Sequence, residues 1–433
     1  MSATQGAAPA FFGWRVVWAA FTVAVLAWGV GFYGPSVFLH TLHERRGWSV
    51  SLISAAITCH FLLSAGIVAR LPALHRSLGL VAATRAGGLA AGAGLLAWAL
   101  ATEPWQLFPA ALLSGTGWAL TSGAAINAIV APWFDRRRPM ALSMAFNGAS
   151  VGGVLFAPLW VLFIAGLGFG GAAALIGAVM AVAVWWLAGA YFRSSPASLG
   201  QHPDGDTKLL AGAALQSAVT PPAPLACGHA VWRDRRFATL STAFALGLFA
   251  QIGLVALLFS LLAPALGDIG AGAAVSLATA SAILGRSLFG MLLPADGDRR
   301  AVAALNFAIQ IAGTMALLVA GGTSVPLSLL GCFLFGLGIG NLTSLPPLIA
   351  QAEFARADAG RVVALVTTVN QAVFAFAPVT LGALHDAFGW TGAPIALAGL
   401  VQTAALFMVL AGRRHPRNPT RRARGGHPVR RGP

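Results

Sequence analysis

Residues 175–192 read LIGAVMAVAVWWLAGAYF, eighteen positions without a charged residue and without the alternation of polar and apolar side chains that a membrane strand needs. A helix crosses the hydrocarbon core with about 20 predominantly apolar residues, so this stretch reads as most of one span. The same texture recurs along the chain. Twelve such runs lie near 14–39, 49–69, 80–101, 107–131, 140–166, 170–192, 237–262, 272–293, 301–321, 325–350, 361–384 and 391–411. Of the 433 residues 58% are apolar and only 9% charged, against about 25% charged in soluble domains. The expected fold is an all-α membrane protein with twelve transmembrane helices. The 52 glycines and 24 prolines are scattered through the apolar runs, where membrane helices tolerate them.

The start, MSATQGAAPAFFGWR, lacks the basic opening and cleavage site of a signal peptide, so the first run is expected to be retained. Cys59, Cys227 and Cys332 form no metal or redox spacing, and no metal or cofactor is expected.

The net charge of +15 is explained by position. Twenty-four of the 27 basic residues fall on the side of the termini: Arg15, alternate gaps from Arg70 to Arg361, and eight arginines from Arg413 to Arg431. Arg45 and Arg46 alone lie opposite, and Arg286 is inside a span. The positive-inside rule then predicts both termini in the cytoplasm of an inner-membrane, multi-pass protein. Basic residues at that face are expected to meet anionic lipid rather than nucleic acid.

The longest polar stretch, 193–236, divides the runs six and six and reads as a cytoplasmic linker. It separates an N-terminal six-helix bundle (1–192) from a C-terminal one (237–412), with a basic tail at 413–433. The halves repeat. Phe156-Ala157-Pro158 recurs as Phe376-Ala377-Pro378 at an offset of 220, which also pairs Phe134 with Phe354 and Arg136 with Arg356. Parallel repeats suggest two bundles rocking about a central site.

With Arg286-x-x-x-Gly290 followed by Asp296, Asp298, Arg299 and Arg300, this layout resembles the major facilitator superfamily. Three further stretches are similar to its monocarboxylate and oxalate/formate branch. They are Gly13-Trp14 with Gly34-Pro35-Ser36-Val37-Phe38 and Gly47-Trp48-Ser49; Trp133-Phe134-Asp135-Arg136-Arg137-Arg138-Pro139-Met140-Ala141 with Asn147 to Gly153; and Pro196-Ala197-Ser198-Leu199-Gly200 with Pro203-Asp204-Gly205. The first-half loop from Gly66 to Arg76 departs from the superfamily pattern by lacking an acidic residue.

Arg286 is the sharpest single feature. A central arginine costs about 2.5–3.5 kcal/mol on insertion scales, so it is expected to face a wet cavity or snorkel to the membrane edge. All twelve acidic residues fall in gaps or at span ends, leaving no carboxylate within a span to pair with it. A substrate carboxylate is the natural counter-ion. The resemblance implies the same, because this branch sets an eighth-helix arginine against its substrate. It also implies a second cation in the eleventh helix of oxalate exchangers; Asn370 stands there, which favours monocarboxylates. Asn370 and Gln371 are the span amides most expected to bind substrate. Tyr33 is a packed ring or a cavity donor. His60 is a hydrogen-bonded packing residue, a substrate contact or the proton carrier. Trp14, Trp48, Trp105, Trp133 and Trp390 fall at span edges as interface anchors.

The expectation is a secondary transporter of small organic anions, with protons or a counter-anion as coupled species. The alternative is a multidrug exporter of the same fold, although a lone interior cation would repel cationic drugs. A membrane enzyme is disfavoured, since His43-Glu44-Arg45-Arg46-Gly47 lacks the second His of a metalloprotease motif and no paired interior carboxylates exist.

Overall fold

A computed structural model describes residues 11–205, 228–292, 298–354, 356–389 and 392–413. Asp296, Lys208, Cys227, Trp390 and the tail beyond Arg413 lie outside the described residues. Nine helical stretches among the described residues are long and apolar enough to cross a membrane. They include α1 (Gly13–Arg46), α2 (Val50–Leu78) and α3 (Leu80–Leu100). The next segment, α4, is two pieces, Leu107–Thr121 and Gly123–Val130. Helices α5 and α6 are the two arms of Arg138–Tyr191 on either side of Gly168, and α7 and α8 the arms of Arg235–Leu292 about Gly267. Then come α9 (Arg299–Ala320), α10 (Val325–Ile339 and Asn341–Glu353), α11 (Arg356–Phe374 and Ala377–Phe388) and α12 (Gly392–Ala411).

Local chemistry sets the breaks. Gly168 and Gly267 adopt φ 71° and 66°, a region open to glycine without steric penalty, and one residue suffices to reverse the chain. The contacts establish that reversal. Gly148 and Gly152 of α5 lie under the Phe21 and Val25 carbonyls of α1, in the same order along both helices. Phe38 at the far end of α1 meets Phe169, whereas Phe12 at its start meets Tyr191 at the end of α6. Hence α5 runs parallel to α1 and α6 runs against it. Pro35 and Pro378 sit at the starts of the second pieces of α1 and α11, where a missing N–H and a restricted preceding residue interrupt the ladder. Ser49 caps α2 through the Leu52 N–H, and Asp298 caps α9 through those of Arg300 and Ala301.

Helices α1–α6 pack with one another, as do α7–α12. In the second bundle Arg300 is 2% exposed; it pairs with Glu353 at 2.6 Å and donates to the Arg236 and Val409 carbonyls, tying four helix ends together. The described residues begin at Phe11 and end at Arg413 on this same side of the molecule, here the terminal face.

Two expectations need adjustment. The linker does not leave the first bundle as free coil. Gln201 accepts the Phe12 N–H at 3.0 Å, and Asp204 accepts the Arg136 and Arg137 N–H groups at 2.8 and 3.2 Å. Burial by itself would raise the Asp204 carboxyl, but these backbone donors and the nearby Arg136 hold it below the usual carboxylate range. Trp133 is a buried residue, not a lipid-facing anchor: the rings of Phe11 and Phe12 cover it.

Candidate functional site

The two bundles meet along two seams that begin on the face opposite the termini. On the first, Asp386 of α11 accepts the Ser51 N–H at 2.7 Å and also the Ser51 hydroxyl. Deeper in, Thr58 accepts the Val379 N–H at 3.2 Å, and Phe61 meets Phe374 edge to face. On the second, His40 lies 3.2 Å from Asp268 in the α7–α8 turn, and Ser276 donates to the Val154 carbonyl at 2.8 Å. The described hydrogen bonds and ion pairs between the bundles stop at Arg286. Toward the terminal face the described packing between the bundles thins, since α2 packs along the second piece of α11 (Ala377–Phe388) but scarcely along the first (Arg356–Phe374), and Arg286 stands at the apex of this opening.

The Arg286 guanidinium reaches across that apex. Nη1 donates to Asn147 Oδ1 at 3.3 Å and Nη2 to Ser150 Oγ at 3.2 Å, both on α5. Nε is buried and without a partner. Gly340 of α10 makes room, since a Cβ there would stand 2.6 Å from Nε and 2.8 Å from Nη2. Tyr33, 5% exposed, packs its ring over Gly153, one turn along α5 from Ser150. Among the described residues no carboxylate pairs with this cation. A guanidinium has five N–H donors; two are engaged, both weakly and by neutral groups. The remaining donors form a planar fork suited to a carboxylate.

The other expected residues are distributed differently. Asn370 is 6% exposed with a buried, unpartnered Oδ1, and Gln371 is half-buried; both precede the α11 break, and no described bond joins them to Arg286. His60 lies inside the first bundle. Its Nδ1 is 2.9 Å from Ser114 Oγ, which also accepts the Trp98 indole N–H at 3.1 Å. Asn147 and Ser150 escaped selection. Their signal was spacing: Gly148 and Gly152 turn one face of α5 to α1, leaving Asn147 and Ser150, three residues apart, on the other.

With this geometry in view, the relatives can be placed. The sequence matches the Major Facilitator Superfamily over residues 121–378 and, in a second register, 246–432. The chain belongs to that superfamily. Membership sets it among multi-pass membrane transport proteins rather than enzymes. Among curated proteins it is 30% identical to monocarboxylate transporter 13 of Bos taurus over 203 residues, 44% of each chain. It is 29% identical to monocarboxylate transporter 11 of Homo sapiens over 173 residues, 39% of this chain and 36% of that one. The chain thus spans about two fifths of the length of these relatives. Solved structures agree on the fold. The nucleoside transporter NupG superposes with TM-score 0.68 at 13% identity, covering 93% of this chain and 98% of that one. A peptide transporter POT in complex with sulfate gives 0.68 at 17%, covering 92% and 93%.

Proposed function

We propose that this protein is a secondary active transporter of small organic anions, monocarboxylates above all, with Arg286 as the carboxylate anchor. The observation that carries the reading is the position of Arg286, whose bonds are the innermost between the bundles among the described residues and go to an amide and a hydroxyl. A bound carboxylate offers two charged acceptors in the parallel geometry that fits a guanidinium, where Asn147 and Ser150 offer neutral ones at 3.3 and 3.2 Å. Substrate would therefore draw the guanidinium from α5 and release the last tie of that seam. Cargo shifts a conformational equilibrium only through such differential contacts, and alternating access follows from this one. Tyr33 adds a hydroxyl at the same apex, while Asn370 and Gln371 would meet the substrate once the seam moves.

Both termini lie in the cytoplasm of the inner membrane in this reading, so the opening beyond Arg286 faces inward. With no carboxylate in a span, a coupled proton travels on the substrate's own carboxyl or on His60; a counter-anion at Arg286 gives exchange instead. The engagement of His60 with Ser114 inside the first bundle favours the substrate. The relatives' names, monocarboxylate transporters, support the substrate class. The test is uptake of labelled lactate, pyruvate, formate and oxalate into proteoliposomes. Saturable uptake of monoanions that Arg286→Ala abolishes is expected; transport of cationic drugs without carboxylates would reject the assignment.

A further inference from the structure

A second site lies on the flank of the first bundle, away from that opening. Helices α3 and α6 run antiparallel there, with Gly92 against Gly177. Toward the terminal face their surfaces part into an open groove lined by Arg85, Leu89, Trp185, Trp186, Gly189 and Arg193. Arg85 stacks on the Trp185 ring, 4.3 Å from its centroid, and Nε donates to the Trp185 carbonyl at 3.3 Å. Gly189 leaves space for the guanidinium, because a Cβ there would stand 2.5 Å from Nη2. Arg193 is exposed just beyond the end of α6.

Three facts set these arginines apart from an ordinary basic rim. Neither has an acidic partner among the described residues. Residues 45–102 and 138–203, which contain α3, α5 and α6, hold no Asp or Glu at all. The rest of the groove is apolar and open, with Trp185 46%, Trp186 61% and Leu89 48% exposed on a face that no other described helix covers. The guanidinium of Arg85 is thus fixed by a stacked ring and a carbonyl, with neither Nη group hydrogen-bonded among the described residues, at the depth where tryptophans mark the membrane interface.

We propose that this groove binds the phosphate head group of an anionic phospholipid from the leaflet on the terminal face. Arg85 and Arg193 grip the phosphate, and an acyl chain lies over Leu89 and Trp186. A soluble anion would find the charge but not the apolar wall.

The test uses full-length protein in a neutral detergent. Phosphatidylglycerol, phosphatidylcholine and inorganic phosphate are titrated separately, with thermal unfolding and lipid retention in native mass spectrometry as readouts. Phosphatidylglycerol is expected to stabilise and to be retained; phosphatidylcholine and phosphate are not. The Arg85→Gln/Arg193→Gln double variant should weaken phosphatidylglycerol binding about 25-fold, on the order of fivefold for each arginine. Arg45→Gln/Arg46→Gln, on the opposite face, should leave it unchanged. Gly189→Leu keeps both charges but fills the groove, and should lose the lipid as well. Undiminished phosphatidylglycerol binding in either groove variant, or equal stabilisation by inorganic phosphate, would overturn the proposal.

Discussion

Replacing Arg286 by lysine keeps the charge at the apex of the opening and removes the fork. In the resting site two guanidinium N–H groups donate to Asn147 and Ser150 over 3.3 and 3.2 Å, long bonds to neutral acceptors worth about 1 kcal/mol each. A carboxylate held by two parallel bonds gains about 1.5–3 kcal/mol for each. Subtracting the bonds that are exchanged leaves a net of about 1–4 kcal/mol in favour of substrate. Alanine at 286 forfeits all of it, roughly five- to several-hundred-fold in affinity at 1.4 kcal/mol per tenfold. Lysine retains the Coulomb attraction but makes one bond where arginine makes two, so about half the free energy goes. Both variants are reconstituted at matched amounts, and lactate affinity is read from concentration-dependent uptake and from thermal stabilisation. Affinity in Arg286→Ala within about twofold of the parent would refute the reasoning. Lysine equal to arginine would dismiss the fork and leave only the charge.

Gly340→Val should push Arg286 off its position while the helices still fold, so uptake falls with Arg286 chemically intact; normal uptake would deny the close approach. His60→Ala should leave the pH profile of uptake unchanged and lower thermal stability, because Ser114 loses its imidazole partner; a flattened profile would give the proton to His60 instead. Asp386→Ala removes the acceptor for two Ser51 donors and should open the face opposite the termini, by about 1–2 kcal/mol, read as faster labelling of a cysteine introduced at Ser54. Asp204→Ala should cost about 1 kcal/mol of stability near neutral pH. Because the folded carboxyl titrates below its ordinary range, its contribution is complete above that range and is lost as pH falls through the lower folded value. Thermal melts of parent and variant should therefore converge in acid.

The span pattern was plain in the sequence because apolar length is a local property. Runs such as 175–192 carry it without help from distant residues. Hinges were less plain. Pro35 and Pro378 are visible breakers, but the reversals at Gly168 and Gly267 are single residues among many glycines, and only their backbone angles separate them from the packing glycines Gly148 and Gly152. Arg286 was legible because it alone breaks the charge pattern. Asn147 and Ser150 were not, since an amide or hydroxyl in a span has many neutral uses, and the pairing that singles them out bridges 139 and 136 residues. Asp204 was hidden for a similar reason: its donors, the N–H groups of Asp135, Arg136 and Arg137, lie 67 to 69 positions earlier in the chain.

The unpaired state of Arg286 has an electrical corollary. A carrier holding one positive charge when vacant and none when a monoanion is aboard presents its two strokes unequally to the voltage. The laden stroke is blind to it; the vacant stroke moves unit charge through whatever fraction of the field the apex spans, at up to about 2.3 kcal/mol per 100 mV. Voltage would then govern how quickly the vacant carrier resets, and one-for-one exchange, which never resets vacant, would run indifferent to it.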